Sequence, residues 1–318
     1  MEKVGWALLA LFVLHTSAQA ADKIRVATPD LGGQFLTFPL AQKKGFFKEE
    51  GLDTEIIIMR PDITVAALSK GEIDYATAVA IVVRGAIQRF PIKVVACYAP
   101  SSTLTVVGRP ELKSLNELKG KTIGINTYGG AVEIITRTIV KQAGLSPNQD
   151  VKFVAMGSAG NRFAALKQGL IAATVVSPPF DFEGEKLGFH VLARAYELFN
   201  FPQAGLGVNV KKIQEKPDEI KRVIKAGIKA NRYIRENREG TIQVLMEVSR
   251  VNKEIAEATY ESIRGAFNED GSLPEKGFRV VIEETKNVLK VGREVSSAEV
   301  ADLSILRRAQ KELGIAAR

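Results

Sequence analysis

The chain repeats itself. Gly32-Gly33 recurs as Gly129-Gly130, 97 residues further on, and Ala66-Ala67-Leu68-x-x-Gly71 recurs as Ala164-Ala165-Leu166-x-x-Gly169, 98 residues further on. Phe47-x-x-x-Gly51-Leu52 and Val140-x-x-x-Gly144-Leu145 fall in the same order at the ends of amphipathic runs. Matches in one order near one offset point to two units of similar build. Within each unit, short apolar runs alternate with amphipathic ones. The first pass reads as strand 23–28, helix 35–48, strand 53–59, helix 64–70, strand 74–78, helix 79–89 and strand 92–98. The second reads as strand 121–126, helix 131–142, strand 151–155, helix 161–168 and strand 172–176. Such alternation implies α/β layering around mainly parallel sheets. A chain of 318 residues has room for two such units.

Segments rich in Pro, Ser and Gly mark where the chain passes between the units. One spans 98–115 and the other 200–208. Between the first of these and the second unit, Ser114 and Glu117 read as a capping box closed by Gly120. Beyond Pro217 the pattern is helical, with Ile220, Val223, Ile224 and Ile228 on one face. Asn252 caps a helix over 253–267, Pro274 opens one over 275–291, and the last covers 301–313.

Residues 1–20 read as a secretory leader. Lys3 precedes an apolar run over 4–14, and Ala18-Gln19-Ala20 is an A-x-A cleavage site that leaves Ala21 as the mature N-terminus. No Cys follows for a lipid anchor. The expected location is therefore periplasmic, and Trp6 leaves with the leader.

Composition removes much chemistry. One cysteine, Cys97, allows no intrachain disulfide and no Cys-based zinc site, and the only histidines are His15 and His190. No metal, cofactor or catalytic residue is expected. Cys97 reads as a buried structural thiol. The net charge of +8 is concentrated at 211–238, where ten Lys/Arg face four acids. Aromatic residues do not interleave with it as base stacking needs, so nucleic acid is not an expected partner. The segment reads as a solvated helix face, with a docking face as the other reading.

Three segments carry a resemblance. Ala41-Gln-Lys-Lys-Gly45-Phe-Phe-Lys-Glu-Glu-Gly51-Leu52 resembles the A-x-x-x-G-(F/L)-(F/Y)-x-x-x-G-L run of periplasmic substrate-binding proteins of ABC importers, in the family for nitrate, sulfonates, taurine and thiamine-pyrimidine precursors. Residues 66–75 (AALSKGEIDY) and 114–124 (SLNELKGKTIG) resemble two further segments of that family. The resemblance covers about residues 23–210 and implies a type II periplasmic-binding-protein fold, with two α/β lobes, a ligand cleft and a helical C-terminal region. Lobe I would comprise 21–100 and 205–318, and lobe II 101–204. It implies a monomer that delivers a small polar or anionic solute to a permease and its ATPase. The alternatives are a ligand sensor for a membrane receptor and an enzyme like those of thiamine-pyrimidine synthesis.

In open parallel sheets, ligands sit beyond the C-terminal strand ends. The candidate ligand residues in the first lobe are Leu31, Gly32, Gly33, Gln34, Arg60, Asp62, Thr77 and Ala78. In the second they are Thr127, Tyr128, Gly129, Gly130, Ala131, Gly157, Ser158, Asn161, Ser177 and Pro178. Several of these loops lead straight into helices, whose first N–H groups favour anions. Tyr128 is the candidate aromatic contact, ahead of Phe35, for which a core role is the alternative. Arg60 could grip a carboxylate, sulfonate or nitrate, whereas Asp30, Asp62 and Asp181 leave room for an amino group.

Overall fold

The computed structural model describes residues 21–316. The leader expected over 1–20, with Trp6 and His15, lies outside them. β1 (Asp22–Thr28) leads through a 3-10 turn into α1 (Thr37–Lys43) and α2 (Phe46–Glu49). β2 (Leu52–Ile58), α3 (Pro61–Lys70), β3 (Tyr75–Ala78), α4 (Val79–Ile87) and β4 (Ile92–Ala99) follow. The second lobe contains β5 (Thr105–Gly108), β6 (Thr122–Ile125), α5 (Ala131–Gln142), β7 (Lys152–Ala155), α6 (Ala159–Lys167), β8 (Ala173–Val176), α7 (Phe180–Lys186), β9 (His190–Arg194) and α8 (Ala195–Leu198). The chain returns as β10 (Ala204–Asn209) and continues as α9 (Val210–Glu215), α10 (Pro217–Glu236), α11 (Arg238–Ser249), α12 (Lys253–Ile263), α13 (Glu275–Leu289), α14 (Ser297–Val300) and α15 (Ser304–Glu312).

The repeat is visible in the sheets. Their strand orders are β2-β1-β3-β10-β4 and β7-β6-β8-β5-β9. In each, three parallel strands built from the repeated segments are extended by two antiparallel pairings. The fourth strand of each sheet, β10 or β5, is the one laid down just after the chain crosses between lobes.

Those two strands are where the sequence reading falls short. Residues 98–115 and 200–208 read as crossovers, yet they contain β5 and most of β10. Glycine obscured β10. A Cβ at Gly205 would lie 2.4 Å from the Ala96 carbonyl oxygen, and one at Gly207 would lie 2.3 Å from Val82 Cγ2. Glycine is required there for close packing, not for a turn. The helix expected over 35–48 is divided at Gly45, which takes the left-handed φ of 81°. Residues Leu115–Leu118 form a 3-10 turn, in which Glu117 accepts from the Lys113 N–H at 2.8 Å and the Ser114 hydroxyl at 3.3 Å. The last helix begins at Ser304 rather than 301.

The apolar face of α10 is buried against Phe38, Phe47 and Tyr98, in the core of the first lobe. The basic residues of α9 and α10 are answered by acids of the same lobe. Lys225 and Lys229 reach Glu50 at 3.1 and 2.9 Å, Lys221 reaches Glu312 and Lys212 reaches Glu219, both at 2.7 Å. The positive run therefore works within the lobe, clamping helices together. A second core cluster continues across both lobes through Phe278, Val281 and Ile282 of α13, which packs on α4 and α5.

Gly205→Ala should destabilise the protein by about 1–3 kcal/mol through overpacking, at roughly 2–4 °C per kcal/mol. Gly292→Ala, where a Cβ meets open space, should stay within about 0.5 kcal/mol. Thermal unfolding of both variants checks this, and a Gly205→Ala protein as stable as the parent contradicts the packing of β10.

Candidate functional site

Parallel strands end together, so each sheet presents one edge of strand termini. In the first sheet that edge carries Thr28, Ala78, Ala99 and the start of β10 at Ala204. In the second it carries Ile125, Val176, the start of β5 at Thr105 and the end of β9 at Arg194. Both crossovers join these edges, and Ser101 of one donates to Asn200 of the other at 3.2 Å.

Between the edges lies a seam of buried polar side chains. Thr77 donates to Thr28 Oγ1 at 3.0 Å, and Thr28 donates to the Asp30 carbonyl at 2.7 Å. Gln34, 5% exposed, accepts from the Thr103 N–H and hydroxyl at 3.4 and 3.3 Å, which ties the loop after β1 to the first crossover. Thr105 donates to Asp181 Oδ2 at 3.4 Å. Gln203 holds the second crossover by its backbone: its N–H donates to the Ala99 carbonyl at 2.9 Å, and its carbonyl accepts from Val79 N–H at 3.2 Å. Its side-chain Oε1 is buried with no donor among the described residues, as is Asn126 Oδ1 at the end of β6. Unpaired buried oxygens are costly and uncommon; Thr54, Tyr98, Thr241 and Thr285 hold the others among the described residues.

The structure sorts the expected site residues into distinct settings. Gln34 and Thr77 are in the seam. Leu31 and Ala78 are half-buried beside it, and Gly32 is buried against Ser249 at the end of α11. Gly33 has a φ of 52°. Phe35 is in the core. Arg60 and Asp62 are exposed and pair with each other, Nε to Oδ1 at 3.1 Å. That hydrogen bond raises the Arg60 pKa and lowers that of Asp62. Gly130 and Ala131 open α5. Thr127 is half-buried. Tyr128 is 55% exposed and its hydroxyl donates to the Phe153 carbonyl at 3.0 Å, so its ring lies over the second sheet. Arg84 of α4 reaches the Tyr128 carbonyl at 3.3 Å and lies over Gly129, where a Cβ would meet its Nη1 at 2.3 Å. The Gly129 N–H is taken by Glu133, a buried carboxylate that also pairs with Arg137. Ser158 caps α6 through the Asn161 N–H, and both residues are exposed. Gly157 offers its carbonyl to Arg162, Ser177 is half-buried and Pro178 is buried.

Sequence reasoning passed over Ser101, Thr103, Thr105, Arg162, Tyr196 and Gln203. Arg162 is 3% exposed; its Nε and Nη2 donate to the Val175 carbonyl at 3.3 and 2.9 Å, and burial lowers its pKa to about 10. Tyr196 and Ser101 line a cavity of about 420 Å³ together with Arg235, Glu261 and Arg264. Asp181, one of the acids considered, is 6% exposed. Burial raises its pKa, against the Phe182 N–H and the charge of Arg194.

Catalytic alternatives fare poorly. Cys97 is fully buried and burial pushes its thiol pKa far up. His190 sits at the other end of β9 from Arg194, away from the seam, with Nδ1 2.9 Å from the Leu112 carbonyl. Among the described residues, no three His, Cys, Asp or Glu are grouped to hold a metal, and no helix is long and apolar enough to cross a membrane.

Two α/β lobes with facing strand ends, two crossovers and a buried polar seam define the periplasmic-binding-protein fold. The chain belongs to the NMT1/THI5-like family, whose pattern matches residues 33–240. A candidate binding protein of Brucella abortus is 27% identical over 256 residues, covering 77% of each chain. The periplasmic nitrate-binding protein NrtA of Synechocystis PCC 6803 superposes with a TM-score of 0.76 at 15% identity, over 92% of this chain and 89% of that one. The periplasmic aliphatic sulphonate-binding protein SsuA of Escherichia coli does so with a TM-score of 0.74 at 14% identity, over 88% and 92%.

Asp181 gives a pH test. Its folded-state pKa is raised, so the folded protein holds the proton more tightly than the unfolded chain does. Its contribution is therefore lost as pH rises from the unfolded value of about 3.9 through the raised value. Asp181→Asn should unfold at a higher temperature than the parent at pH 7. That advantage should vanish as pH falls towards 4. An advantage that grows on acidification contradicts the buried, destabilised carboxylate.

Proposed function

We propose that this chain is the exported solute-binding component of an ABC importer. Residues 1–20 would be its leader, removed after Ala20. Residues 21–100 with 205–318 would form one lobe and 101–204 the other. The lobes close as a monomer on a small polar or anionic solute and present it to a permease with its ATPase. The protein binds without turnover and needs no cofactor.

The observation that carries this reading is the seam. Thr28, Thr77, Gln34, Thr103 and Gln203 place hydroxyls and amides out of water where two apolar edges would pack better. Two of its oxygens lack donors. A protein that only had to hold two lobes together would gain by replacing them with apolar side chains. A bound solute supplies the missing donors. Closure is a hinge movement at the two crossovers, driven by the solute's preference for the closed state. Contacts made across the lobes, such as Lys141 to Glu284 at 2.8 Å, Arg84 to the Tyr128 carbonyl and Lys186 to Glu254, then form only when the lobes meet. The family membership and the binding-protein relatives support the same reading.

Thermal unfolding against a panel of nitrate, bicarbonate, alkyl sulfonates, taurine, aromatic carboxylates, pyrimidines and flavins tests it. A true ligand at about 1,000 Kd adds roughly 4 kcal/mol, or about 8–16 °C at roughly 2–4 °C per kcal/mol. The shift should be lost in a Gln203→Ala/Asn126→Ala variant. An undiminished shift in that variant would place the ligand outside the seam.

A further inference from the structure

Each sheet has two outer strands, and three of the four take hydrogen bonds from elsewhere in the chain. β4 is bridged in parallel by Ala301 at Val94, whose carbonyl accepts from the Asp302 N–H at 2.8 Å, and the Cys97 N–H donates to the Gly271 carbonyl at 2.8 Å. On β2, the Thr54 carbonyl accepts from Gln42 at 2.6 Å, and on β7 the Phe153 carbonyl accepts from the Tyr128 hydroxyl at 3.0 Å. β9 takes none. Among the described residues, the backbone of His190–Arg194 bonds to β5 alone. β9 holds the same place in its sheet as β4 does in the other, so the chain covers one of two equivalent edges and leaves its counterpart bare. A bare edge is a row of unpaired N–H and C=O groups, ready to pair with another strand.

The space beside that edge is shaped and charged. An open hollow of about 750 Å³ runs along it, lined by Lys113, Glu185, Phe189, His190, Val191 and Arg194. Phe189 and Val191 are half-buried and give it an apolar floor. His190 Nδ1 lies 2.9 Å from the Leu112 carbonyl, which puts the exposed Lys113 beside the start of β9, while Arg194 ends the strand. Lys113 has no acid within 4 Å among the described residues, and Arg194 has Glu185 at 3.5 Å, a half-exposed pair. Cations therefore flank the edge at both ends, about 13 Å apart along a strand rising ~3.3 Å per residue. Leu192 is an extra residue in the pairing with β5, and a Cβ on Gly108 would lie 2.7 Å from its Cδ1. Such a bulge bends the strand and discourages a long flat partner. A second copy of this edge would also set Arg194 against His190 and Lys113, like facing like.

We propose that the edge of β9 receives a short acidic segment of a partner protein as an added strand. Its backbone pairs with β9, its alternate side chains rest on Phe189 and Val191, and acids near its two ends meet Lys113 and Arg194. Main-chain pairing supplies affinity in this mode, and the flanking charges and the floor supply selectivity. The site is on the outer edge of the second lobe and does not depend on the solute-binding reading.

Titration of the mature chain with a blocked peptide tests this. The peptide alternates valine and threonine over about seven residues, with a glutamate near each end; its counterpart carries lysines in those places. The acidic peptide should bind about 10-fold more tightly than the basic one and slow amide exchange at His190–Arg194. Lys113→Glu should reverse the preference between the two peptides, which the loss of a structural contact would not do. N-methylation of the peptide backbone should abolish binding. No binding of the acidic peptide up to about 1 mM overturns the inference. So does equal binding of both peptides, or binding that survives N-methylation, since that is docking by side chains alone. Sedimentation of the chain by itself should show a monomer, and a dimer that the acidic peptide dissociates would seat a second copy on the edge and overturn it too.

Discussion

Two sheets that face each other by their strand ends cannot pack as two apolar faces do. The ends carry loops, helix starts and unpaired backbone groups, and these must find partners before they can leave water. Here the chain meets that requirement by crossing twice in one place and lining the crossing with small polar side chains. Gln203 shows the economy of the arrangement. Its backbone fixes the start of β10 against β4 and the start of α4, while its side chain is left over, buried and unpaired. The strand registers, the helix starts and the cleft all follow from that junction.

The repeat and most of its elements were legible in the sequence because apolar periodicity and glycine-ended helices are local signals. The bounds of α5 could be read outright, and β1 to within a residue. β5 and β10 were not legible. β5 has four residues and follows a Pro- and Ser-containing stretch. β10 carries two glycines that the packing of Ala96, Val79 and Val82 demands, and glycine read in isolation signals a turn. The basic run at 211–238 was legible as a helix face, but its partners at Glu50 and Glu312 lie more than 70 residues away in sequence.

The candidate site was legible as a set of loops but not as a set of contacts. Strand-end logic reaches Gln34 and Thr77, which do sit in the seam. It also reaches Arg60, Asp62, Ser158 and Asn161, which occupy equivalent loop positions at exposed places. Sequence cannot say which part of a strand-end edge is covered by the opposite lobe. Nor can it show that a charge is buried. Arg162 lies in an ordinary helical run, AGNRFAALK, and only the fold reveals that it shares the buried face of Leu166 and has no acid beside it.

Structure and chemistry meet in one claim: the solute lies in the seam between the two sheet edges. A crystal structure of the mature chain grown with its tightest-binding solute tests that claim most directly. The account predicts electron density for the solute between Gln203 and Asn126, within hydrogen-bonding distance of both side chains, with the lobes in contact as they are here. Density in the open hollow of the second lobe lined by Lys113, Phe189 and His190 would contradict it.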